Sequence, residues 1–584
     1  TSRLHRLSWD KAQVYTTNRQ VKRSEKILIL EDAHNATLMI EDMKDSASII
    51  TRVNRPVQEK DWIQISDLIY DEKYSVLIYI MPTNGFSIWE LAGFMKKLIS
   101  KGLREKIKIL VIGKGASALP ESPVYSTHND PLTATVPALM RSLSMEEPKI
   151  LFRFLEISGE MNSDMILEEI EHIDNDNNLI YINRSGERFV PKLLPVISVE
   201  KELEPTDKFC TVISGGLGAM ALTLADTMSE LGRGGALAML HRGVFPPEEQ
   251  WNELITSDDS TLSFRIRKLL DLKAKGIEFK IYHCDIADKN SLSVCLNQIR
   301  EELGPVGAVL HTAGVPGDGF LIGKSKETFE NVLVPKITGA NNLHQLTLND
   351  NIHYFILASS RTGITGAAGQ TDYAAANAYL DVFAYWRVSQ GLPAVSIDWN
   401  SWKNIGMAAR SAFADSSMLG LLPEQASGVL KKVLLSGETQ IVISMSDEDL
   451  SVNALKKKPV MKNSSDQKYK PEEKLIALPY QDRILEIVAE GLGYKNKLSV
   501  DDDFYAIGGD SITGMHIVNH INTVENLNVS LSDLFSNSRL GDFVDAIKKM
   551  KNEVDIIPEK KPDIPVMDEY PVSWEQLAVL QAET

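Results

Sequence analysis

One stretch of the sequence combines hydroxyl, phenol and amide side chains at a spacing that suits acid-base chemistry. Ser359 and Ser360 end an apolar run, and the segment Tyr373-Ala-Ala-Ala-Asn377 follows a loop that contains glycine. If this segment is helical, its four-residue spacing places Tyr373 and Asn377 on one helix face. A phenol has an unperturbed pKa of about 10 and is a slow acid at neutral pH unless a cation stabilises its phenolate. Proton transfer by Tyr373 with the help of a nearby cation is one interpretation of these residues; a core aromatic at Tyr373 and a capping Ser360 are the alternatives.

A glycine-rich turn earlier in the chain has the pattern of a dinucleotide-binding loop. A β-branched run precedes the turn, a helical pattern follows it, and the turn contains Gly-x-Gly-x-x-Ala. Glycines let the backbone approach a pyrophosphate, and the helix N-terminus attracts its charge. A tight structural turn is the alternative interpretation. The residues predicted to contact the cofactor are Ser214, Gly215, Gly216, Gly218 and Ala221.

Four further residues at strand ends are predicted to bind the same cofactor. Arg242 occupies the position at which NAD-binding folds have an acidic residue that binds the ribose 2′-hydroxyl. Its guanidinium can instead pair with the 2′-phosphate of NADPH. Asp285 can accept a hydrogen bond from the adenine amine. Ala313 and Gly314 are small enough for a nicotinamide ribose to lie close. An ordinary solvated arginine is the alternative for Arg242, and a helix cap by Asp288 is the alternative for the acidic segment. The neighbouring His311 is interpreted as a core residue.

A segment near the end of the chain, Gly508-Gly509-Asp510-Ser511-Ile512, precedes a run with helical periodicity. It resembles the phosphopantetheine attachment signature of carrier domains. Its sequence is closer to that of peptidyl carriers than to that of many polyketide carriers. The resemblance implies that a phosphopantetheinyl transferase attaches 4′-phosphopantetheine to Ser511. A helix N-terminus also suits a phosphodiester, because its free N–H groups favour negative charge. An unmodified N-cap serine is the alternative interpretation.

The block around Tyr373 resembles the ketoreductase domain of modular polyketide and mixed polyketide/nonribosomal peptide synthetases, a branch of the short-chain dehydrogenase/reductases. The resemblance covers residues 1–445, because that family pairs a degenerate nucleotide-binding half with a catalytic one. It implies that Tyr373 protonates the substrate carbonyl oxygen and that Ser360 donates a hydrogen bond to it. It also implies that Lys336 lowers the pKa of the tyrosine, and that Asn377 completes the proton relay.

Two departures from the family pattern concern the cofactor and the product. Ala219 and Ala221 replace glycines that are usual in the loop, and their methyl groups would crowd a pyrophosphate. A catalytically decayed scaffold is therefore an alternative to an active enzyme. Of a Leu-Asp-Asp signature that marks one stereochemical type, the chain keeps Asp318, and Thr365 stands where the opposite type has tryptophan. The resemblance thus implies a D-configured β-hydroxyl product.

These residues need a scaffold of several domains, since the chain has 584 residues. Apolar runs that alternate with helical patterns predict an α/β fold with two Rossmann-like, doubly wound parallel sheets, the first degenerate and the second catalytic. A small four-helix carrier domain follows. The predicted segments are a structural subdomain at 1–205, a catalytic subdomain at 206–450, a linker at 451–474, the carrier at 475–551, and a linker with the start of a condensation-like domain at 552–584.

The composition excludes several classes of partner. A net charge of −17 argues against nucleic acid. The sequence has no apolar run typical of a signal peptide or a membrane helix, and the chemistry requires no metal. Three widely spaced cysteines, Cys210, Cys284 and Cys295, fit a reducing compartment, so we expect a cytoplasmic protein. The missing initiator methionine and the abrupt end suggest a piece of a longer polypeptide.

Together these features predict NADPH-dependent reduction of a β-ketoacyl thioester that the carrier holds through phosphopantetheine. An α-ketoacyl thioester in a depsipeptide-forming module is the alternative substrate, and the peptidyl-like carrier signature favours it. The linker at 451–474 would span roughly 27 Å as a flexible coil, which gives the tethered substrate an effective concentration on the order of millimolar. The expected neighbours are an adenylation or ketosynthase domain upstream and a condensation domain downstream.

Overall fold

The structure is a computed structural model that describes most of an α/β region and three helices near the end of the chain. The described residues are 3–12, 26–31, 49–55, 59–82, 86–101, 103, 105–114, 116, 131–157, 163–174, 179–182, 186–196, 207–255, 260–317, 319–403, 420–444, 479–492, 494, 498–504, 507, 511–525, 527, 529, 533–534 and 537–555. The chain divides into two compact units, one containing residues 1–470 and the other most of the residues after 470. Within the described ranges, no helix combines the length and the apolar character needed to cross a bilayer.

The first half of the α/β unit is a mostly parallel sheet with helices between its strands. Its elements are β1 (Arg3–Lys11), β2 (Lys26–Glu31), β3 (Ile49–Asn54), α1 (Glu59–Asp71), β4 (Val76–Ile80), α2 (Ile88–Ser100), β5 (Ile107–Gly113), α3 (Thr135–Glu146), β6 (Ile150–Ile157), α4 (Ser163–Glu171), β7 (Leu179–Ile182) and β8 (Arg188–Pro195). Six strands lie parallel in the order β3-β2-β4-β5-β6-β7. Four branched aliphatic residues and Tyr79 form β4, which is buried along its whole length, as is typical of a parallel strand covered on both faces.

The second half repeats this architecture with one more parallel strand before the order reverses. Its elements are β9 (Cys210–Ser214), α5 (Ala219–Leu231), β10 (Leu237–His241), α6 (Trp251–Leu254), α7 (Ser260–Ala274), β11 (Phe279–His283), α8 (Lys289–Leu303), β12 (Val306–His311), α9 (Lys326–Leu346), β13 (Tyr354–Ser360), α10 (Thr362–Thr365), α11 (Thr371–Ser389), β14 (Val395–Trp399), α12 (Pro423–Ser436) and β15 (Gln440–Ser444). The strand order is β11-β10-β9-β12-β13-β14-β15, so the direction of winding reverses between β9 and β12. Ligands of open parallel sheets bind in the crevice at such a reversal.

Helices cover both faces of the second half and bury its core in two layers. On one face, α5, α7 and α12 pack against the strands through residues such as Leu222, Ile266 and Val429. On the other face, α8, α9 and α11 contribute residues such as Leu296 and Phe383. The prediction of Rossmann-like, doubly wound parallel sheets is confirmed.

The two halves share one continuous sheet rather than two separate ones. Strand β1 pairs antiparallel with β15 through Leu4 and Ile443, and with β8 through Ser8 and Lys192. The first strand of the chain therefore lies between the two halves and joins the last strand of each. The predicted division at residue 205 stays a prediction, because the sheet continues through both halves.

The helical unit contains three described helices, α13 (Tyr480–Gly491), α14 (Ser511–Glu525) and α15 (Leu540–Asp555). They confirm the prediction of a small helical domain in this part of the chain, while its fourth helix stays a prediction. The buried carboxylate of Glu525 forms ion pairs with Arg483 on α13 and, at 2.6 Å, with Lys551 on α15. One acid thus connects all three helices. The predicted linker at 451–474 lies outside the described residues.

Candidate active site

The predicted cofactor loop lies between the carboxyl ends of β9 and β12. Gly215 has a φ of +66°, and a Cβ atom there would lie 2.9 Å from the Cα of Ala313. A Cβ atom on Gly216 would lie 2.7 Å from the Cα of Met239, so neither position accepts a side chain. Gly218 is the N-cap of α5, which begins at the next residue. The loop therefore has the close, side-chain-free backbone that can bring N–H groups to a phosphate.

The hydroxyl of Ser214 connects the two strands that flank this crevice. It lies 2.6 Å from Nδ1 of His311, and both residues are fully buried. Burial and the nearby Lys336 lower the pKa of His311 to about 3, so the imidazole is neutral at physiological pH. The interpretation of His311 as a core residue is confirmed. The cofactor contact of Ser214 stays a prediction, since its hydroxyl already has a protein partner.

The two alanines that replace the usual glycines lie in different surroundings. Ala221 is fully buried and packs into the apolar core beneath α5. Ala219 is the first residue of α5 and is partly exposed. Of the two methyl groups, only that of Ala219 is therefore placed where it could approach a bound phosphate. The contact of Ala221 with a cofactor remains a prediction.

Lys336 and Tyr373 come together from α9 and α11. The ammonium nitrogen of Lys336 lies 5.9 Å from the centroid of the tyrosine ring, and it donates a hydrogen bond to the carbonyl oxygen of Ala358 at 2.8 Å. Burial lowers the pKa of Lys336 to about 8, and the carboxyl groups of Asp381 and Asp398 oppose that shift. The structure thus supplies the cation that the chemistry of a phenol requires.

Asn377 lies one helical turn after Tyr373, and its side chain is fixed by the backbone. Its Nδ2 donates to the backbone carbonyl oxygen of Tyr373 at 2.7 Å. The backbone carbonyl oxygen of Asn377 accepts from Ser359 Oγ at 3.1 Å. Ser360 ends β13, and its hydroxyl accepts from the N–H of Thr362 at 3.3 Å and donates to Thr362 Oγ1 at 3.2 Å. The end of β13 and the first two turns of α11 therefore bring the predicted catalytic residues to one region.

Gly314 links the cofactor crevice to the catalytic lysine. A Cβ atom on Gly314 would lie 3.2 Å from Cε of Lys336. Any larger residue at this position would press against the lysine stem. The predicted nicotinamide end of the crevice is therefore adjacent to the predicted proton-transfer residues, as ketone reduction requires.

Basic side chains surround the end of β10, where Arg242 is exposed. Burial lowers the pKa of His241, and the positive charges of Arg265, His283 and Arg242 lower it further. The ring of His283 lies 2.9 Å from the carbonyl oxygen of Arg242. The guanidinium groups of Arg242 and Arg265 give the end of the strand a positive potential that suits a phosphate.

Asp285 and Asp288 follow β11 and both contact backbone N–H groups. Oδ1 of Asp288 accepts from Asn290 and Ser291 at the N-terminus of α8, so the helix-cap interpretation is confirmed for this residue. Oδ1 of Asp285 accepts from the N–H of Ala287 at 2.9 Å, and the side chain is exposed. Its contact with an adenine amine stays a prediction.

A helix of the first half holds the loops that flank the predicted catalytic residues. The sequence analysis did not predict these contacts. On α3, Glu146 accepts from the N–H of Leu321 at 2.8 Å and from that of Gly369 at 3.0 Å. Ser142 accepts from the N–H of Ala367 at 3.2 Å. No local pattern in the sequence indicated which loops this helix would contact.

Glu146→Gln is expected to flatten the dependence of stability on pH. Burial raises the pKa of Glu146 to about 8 from an ordinary value of 4.5, so the folded protein keeps a proton that the unfolded chain releases. Between these two pH values the wild-type fold loses stability as pH rises, a loss that an amide cannot show. At acidic pH the variant should be the less stable protein, because an amide oxygen accepts from only one of the two N–H groups.

Calorimetry of the thermal midpoint at several pH values measures this difference. The exposed Glu249→Gln is the matched control and should follow the wild type. A midpoint that falls equally with pH in wild type and Glu146→Gln would contradict the assignment.

A buried ion pair lies on the other side of Tyr373. Asp372 pairs with Lys324, whose ammonium also donates to the carbonyl oxygen of Gly317 at 2.6 Å. Oδ1 of Asp372 accepts from the N–H of Tyr373 at 2.8 Å. This pair fixes the start of α11 against the segment before α9. Its only signal in the sequence is the position of Asp372 next to the tyrosine.

Two of the remaining predicted site residues, Asp318 and Ser511, are described in part or not at all, whereas Thr365 is described. Asp318 lies outside the described residues. Thr365 ends α10, and its hydroxyl donates to the carbonyl oxygen of Arg361 at 3.1 Å. Helix α14 begins at Ser511, whose side chain lies outside the described part of the chain. The stereochemical roles and the attachment site therefore remain predictions.

Comparison with known families identifies two segments of the chain. Residues 210–404 match the model of the KR domain, and residues 482–547 match the model of the phosphopantetheine attachment site. The 6-methylsalicylic acid synthase of Aspergillus terreus is 27% identical over 441 residues, which cover 71% of this chain and 23% of that protein. The chain thus spans about a quarter of the length of this relative.

Solved structures with the same fold include ketoreductases. A structure of A-type ketoreductases from a modular polyketide synthase superposes with a TM-score of 0.62 at 21% identity, covering 76% of this chain and 94% of the other. A structure of the adenylation, ketoreductase and pseudo-Asub domains of a keto acid-selecting nonribosomal peptide synthetase module gives a TM-score of 0.64 at 19% identity, covering 77% and 40%. At these identities the likeness concerns the fold of the α/β unit.

Proposed function

Because the chain carries a KR domain and a phosphopantetheine attachment domain, as polyketide synthases do, we propose that it reduces a β-ketoacyl thioester bound to its own carrier, with NADPH as reductant. The product is the hydroxyacyl thioester, held for the next domain of a multidomain synthetase. The observation that carries this proposal is the buried Lys336 beside Tyr373, next to a glycine loop that accepts no side chain.

The residues of the crevice fit a nicotinamide dinucleotide. Gly215 and Gly216 leave no room for side chains of their own, which keeps the backbone accessible to a pyrophosphate. Arg242 and its basic neighbours would hold the 2′-phosphate that distinguishes NADPH, and Ala313 and Gly314 would border the nicotinamide ribose. Bound there, the cofactor supplies the hydride that reduces the ketone carbon.

The side chains of the site would manage the proton and the orientation of the carbonyl. Ser360 donates a hydrogen bond to the carbonyl oxygen, and Tyr373 gives that oxygen its phenolic proton. Lys336 stabilises the phenolate that remains, and Asn377 keeps the first turn of α11 in place through its bond to the tyrosine carbonyl. Only protonated Lys336 can act in this way, so we expect activity to fall above about pH 8, the pKa to which burial lowers this lysine.

Arg242→Ala is expected to raise the KM for NADPH about 10-fold to 100-fold and to leave the KM for NADH within about twofold. The guanidinium and the 2′-phosphate form a charge-assisted pair, which only NADPH can make. Steady-state kinetics with both cofactors measures the effect. The exposed Arg267→Ala on α7 is the matched control, since it removes the same charge at another surface position. Equal use of NADH and NADPH by the wild type would contradict the proposed cofactor choice.

A second candidate substrate is an α-ketoacyl thioester, as in a depsipeptide-forming module. The wording Gly-Gly-Asp-Ser-Ile at the predicted attachment site supports it, because it is closer to peptidyl carriers. The fold is also shared with the ketoreductase of a keto acid-selecting module. Mass spectrometry of carriers loaded with α-keto or β-keto acyl groups, before and after addition of NADPH, would separate the two candidates. Reduction of the α-keto form alone would contradict the first proposal.

The carrier would hold the substrate on Ser511 through phosphopantetheine attached by a phosphopantetheinyl transferase. Tethering at a roughly millimolar effective concentration allows the affinity between carrier and reductase to be weak. An adenylation or ketosynthase domain would load the carrier, and a condensation domain would take its product. The segment Tyr570-Pro571-Val572-Ser573-Trp574, which resembles the start of a condensation domain, supports the second of these partners.

A further inference from the structure

Two buried acids lie behind the catalytic residues and have no role in the mechanism above. Asp381 is on α11 and Asp398 is on β14, and their residues are 5% and 0% exposed. The hydroxyl of Ser396 donates to Oδ1 of Asp381 at 2.6 Å, and Nε2 of Gln440 donates to Oδ2 of Asp398 at 2.8 Å. Each carboxyl group is thus held by its own neutral donor. Ser396 and Asp398 alternate along β14 and share one face of the sheet, which places Asp381, bonded to Ser396, near Asp398. Each acid also shifts the pKa of the other.

The backbone places this pair next to the catalytic residues. Asp381 lies four residues after Asn377 and eight after Tyr373, so the three share one face of α11. Asp398 is the strand partner of Ser359, whose hydroxyl donates to the backbone carbonyl of Asn377, one turn before Asp381. The same hydroxyl lowers the pKa of both acids. The pair is therefore built into the same two elements that hold the phenol and the amide.

The carboxyl groups of Asp381 and Asp398 cannot both be ionised. Burial raises the pKa of both acids, and the charge of Asp381 raises that of Asp398 further. Two carboxylates in contact would repel each other in a low-dielectric site where Lys336 supplies one positive charge. Within the described part of the chain, Oδ1 of Asp398 is buried and receives no hydrogen bond from a donor, as expected of an oxygen that itself carries the proton.

The other titratable groups around the pair leave this balance unchanged. His311 packs beside Lys336 and is neutral, because burial lowers its pKa to about 3. Tyr385 on α11 is affected by both acids, and burial raises its pKa far above the physiological range. The next charges on that side, Glu438 and Arg6, form an ion pair at 3.5 Å and cancel each other.

We propose that Asp381 and Asp398 form a carboxyl pair that shares one proton and holds one negative charge for Lys336, so that both acids are positioning residues of the reductase. The proposal rests on the proposed role of Lys336 in ketone reduction. The proton lies on Asp398 and is donated to Asp381. No proton leaves the pair during turnover, because its single charge is needed throughout to keep the lysine protonated.

Each single variant keeps the negative charge of the pair, whereas the double variant removes it. In Asp398→Asn the charge stays on Asp381, and the amide replaces the donating O–H. In Asp381→Asn the charge moves to Asp398. Each single variant is therefore expected to lower kcat about twofold, whereas the double variant removes the charge and lowers kcat about 20-fold at about pH 8. Near pH 6 the double variant should recover to within about threefold of wild type, because its lysine is again protonated.

A structural role would give a different result. If the two acids only support packing, the effects of the single variants multiply in the double variant, and the alkaline limb of the pH profile does not move; that result would overturn the proposal. The matched control is the exposed double variant Asp226→Asn/Asp271→Asn, which removes two carboxylates from Lys275 on the surface. It should leave the pH profile unchanged.

An infrared measurement tests the shared proton without any turnover. At about pH 7 in D₂O, the carboxylic acid band of the wild type should lose the intensity of one acid in each single variant, since the remaining carboxyl ionises. The surface control should keep the full band. An undiminished band in both single variants would overturn the proposal even if the enzyme is active. If the wild type is inactive but the acid band is still weaker in both single variants, the proposed function is rejected and the carboxyl pair is retained.

Discussion

Tyr373→Phe is expected to lower kcat for ketone reduction at least about 100-fold and to leave the affinity for NADPH within about twofold. The substitution removes only the phenolic oxygen, which is the proposed proton donor. Lys336 then has no phenolate to stabilise, although its bond to the carbonyl of Ala358 is retained. The size of the loss is that of a missing general acid. Consumption of NADPH with a β-ketoacyl pantetheine thioester measures it, and fluorescence titration measures the cofactor affinity.

Tyr379→Phe provides a matched control on the same helix. The hydroxyl of Tyr379 accepts from Nδ2 of Asn341 at 2.5 Å and belongs to a core cluster, so its loss should lower stability without lowering kcat more than about twofold. If Tyr373→Phe turned over at the wild-type rate, the proposed acid would be wrong. If the wild type itself bound no cofactor, the interpretation as a decayed scaffold, with Ala219 crowding the loop, would replace the proposed enzyme.

Ser511→Ala is expected to abolish attachment of phosphopantetheine completely. Attachment forms an ester between the phosphate and one serine hydroxyl, and alanine offers no oxygen for it. Helix α14 begins at this residue, so the phosphodiester would lie at free N–H groups. Intact-protein mass spectrometry after incubation with a phosphopantetheinyl transferase and coenzyme A measures the modification.

The exposed Ser499→Ala controls for loss of a serine in the same unit. It should gain the mass of one phosphopantetheine group, as the wild type does. A Ser511→Ala protein that still gains this mass would show that the attachment site is elsewhere in the chain. A variant that remains unmodified but whose reductase still consumes NADPH with a free thioester would show that tethering and reduction are separate properties of the chain.

Local patterns were sufficient to predict an α/β fold with parallel sheets, the glycine loop and the face shared by Tyr373 and Asn377. Each depends on residues close together in the sequence, such as a β-branched run before glycines or a four-residue spacing. The hydrogen bond from Asn377 Nδ2 to the carbonyl of Tyr373 confirms that spacing. The position of Lys336 required the family resemblance, because no local pattern distinguishes it from other lysines.

Contacts between distant elements could not be predicted. Glu146 reaches loops of the second half only because α3 packs against α11, and the sequence does not specify that arrangement. The pair of Asp381 and Asp398 depends on the strand register that opposes Asp398 to Ser359. The helical spacing from Tyr373 could have drawn attention to Asp381, but nothing in the sequence indicated its partner.

The position of β1 in the centre of the sheet has a consequence for synthesis of the protein on the ribosome. Residues 3–11 leave the ribosome before both of their partner strands, of which one ends at residue 195 and the other at residue 444. Until the second partner has been translated, β1 has an open edge that can recruit a strand from another nascent chain. We therefore expect cotranslational assembly to be slow and dependent on chaperones, because such a distant pairing has a high contact order.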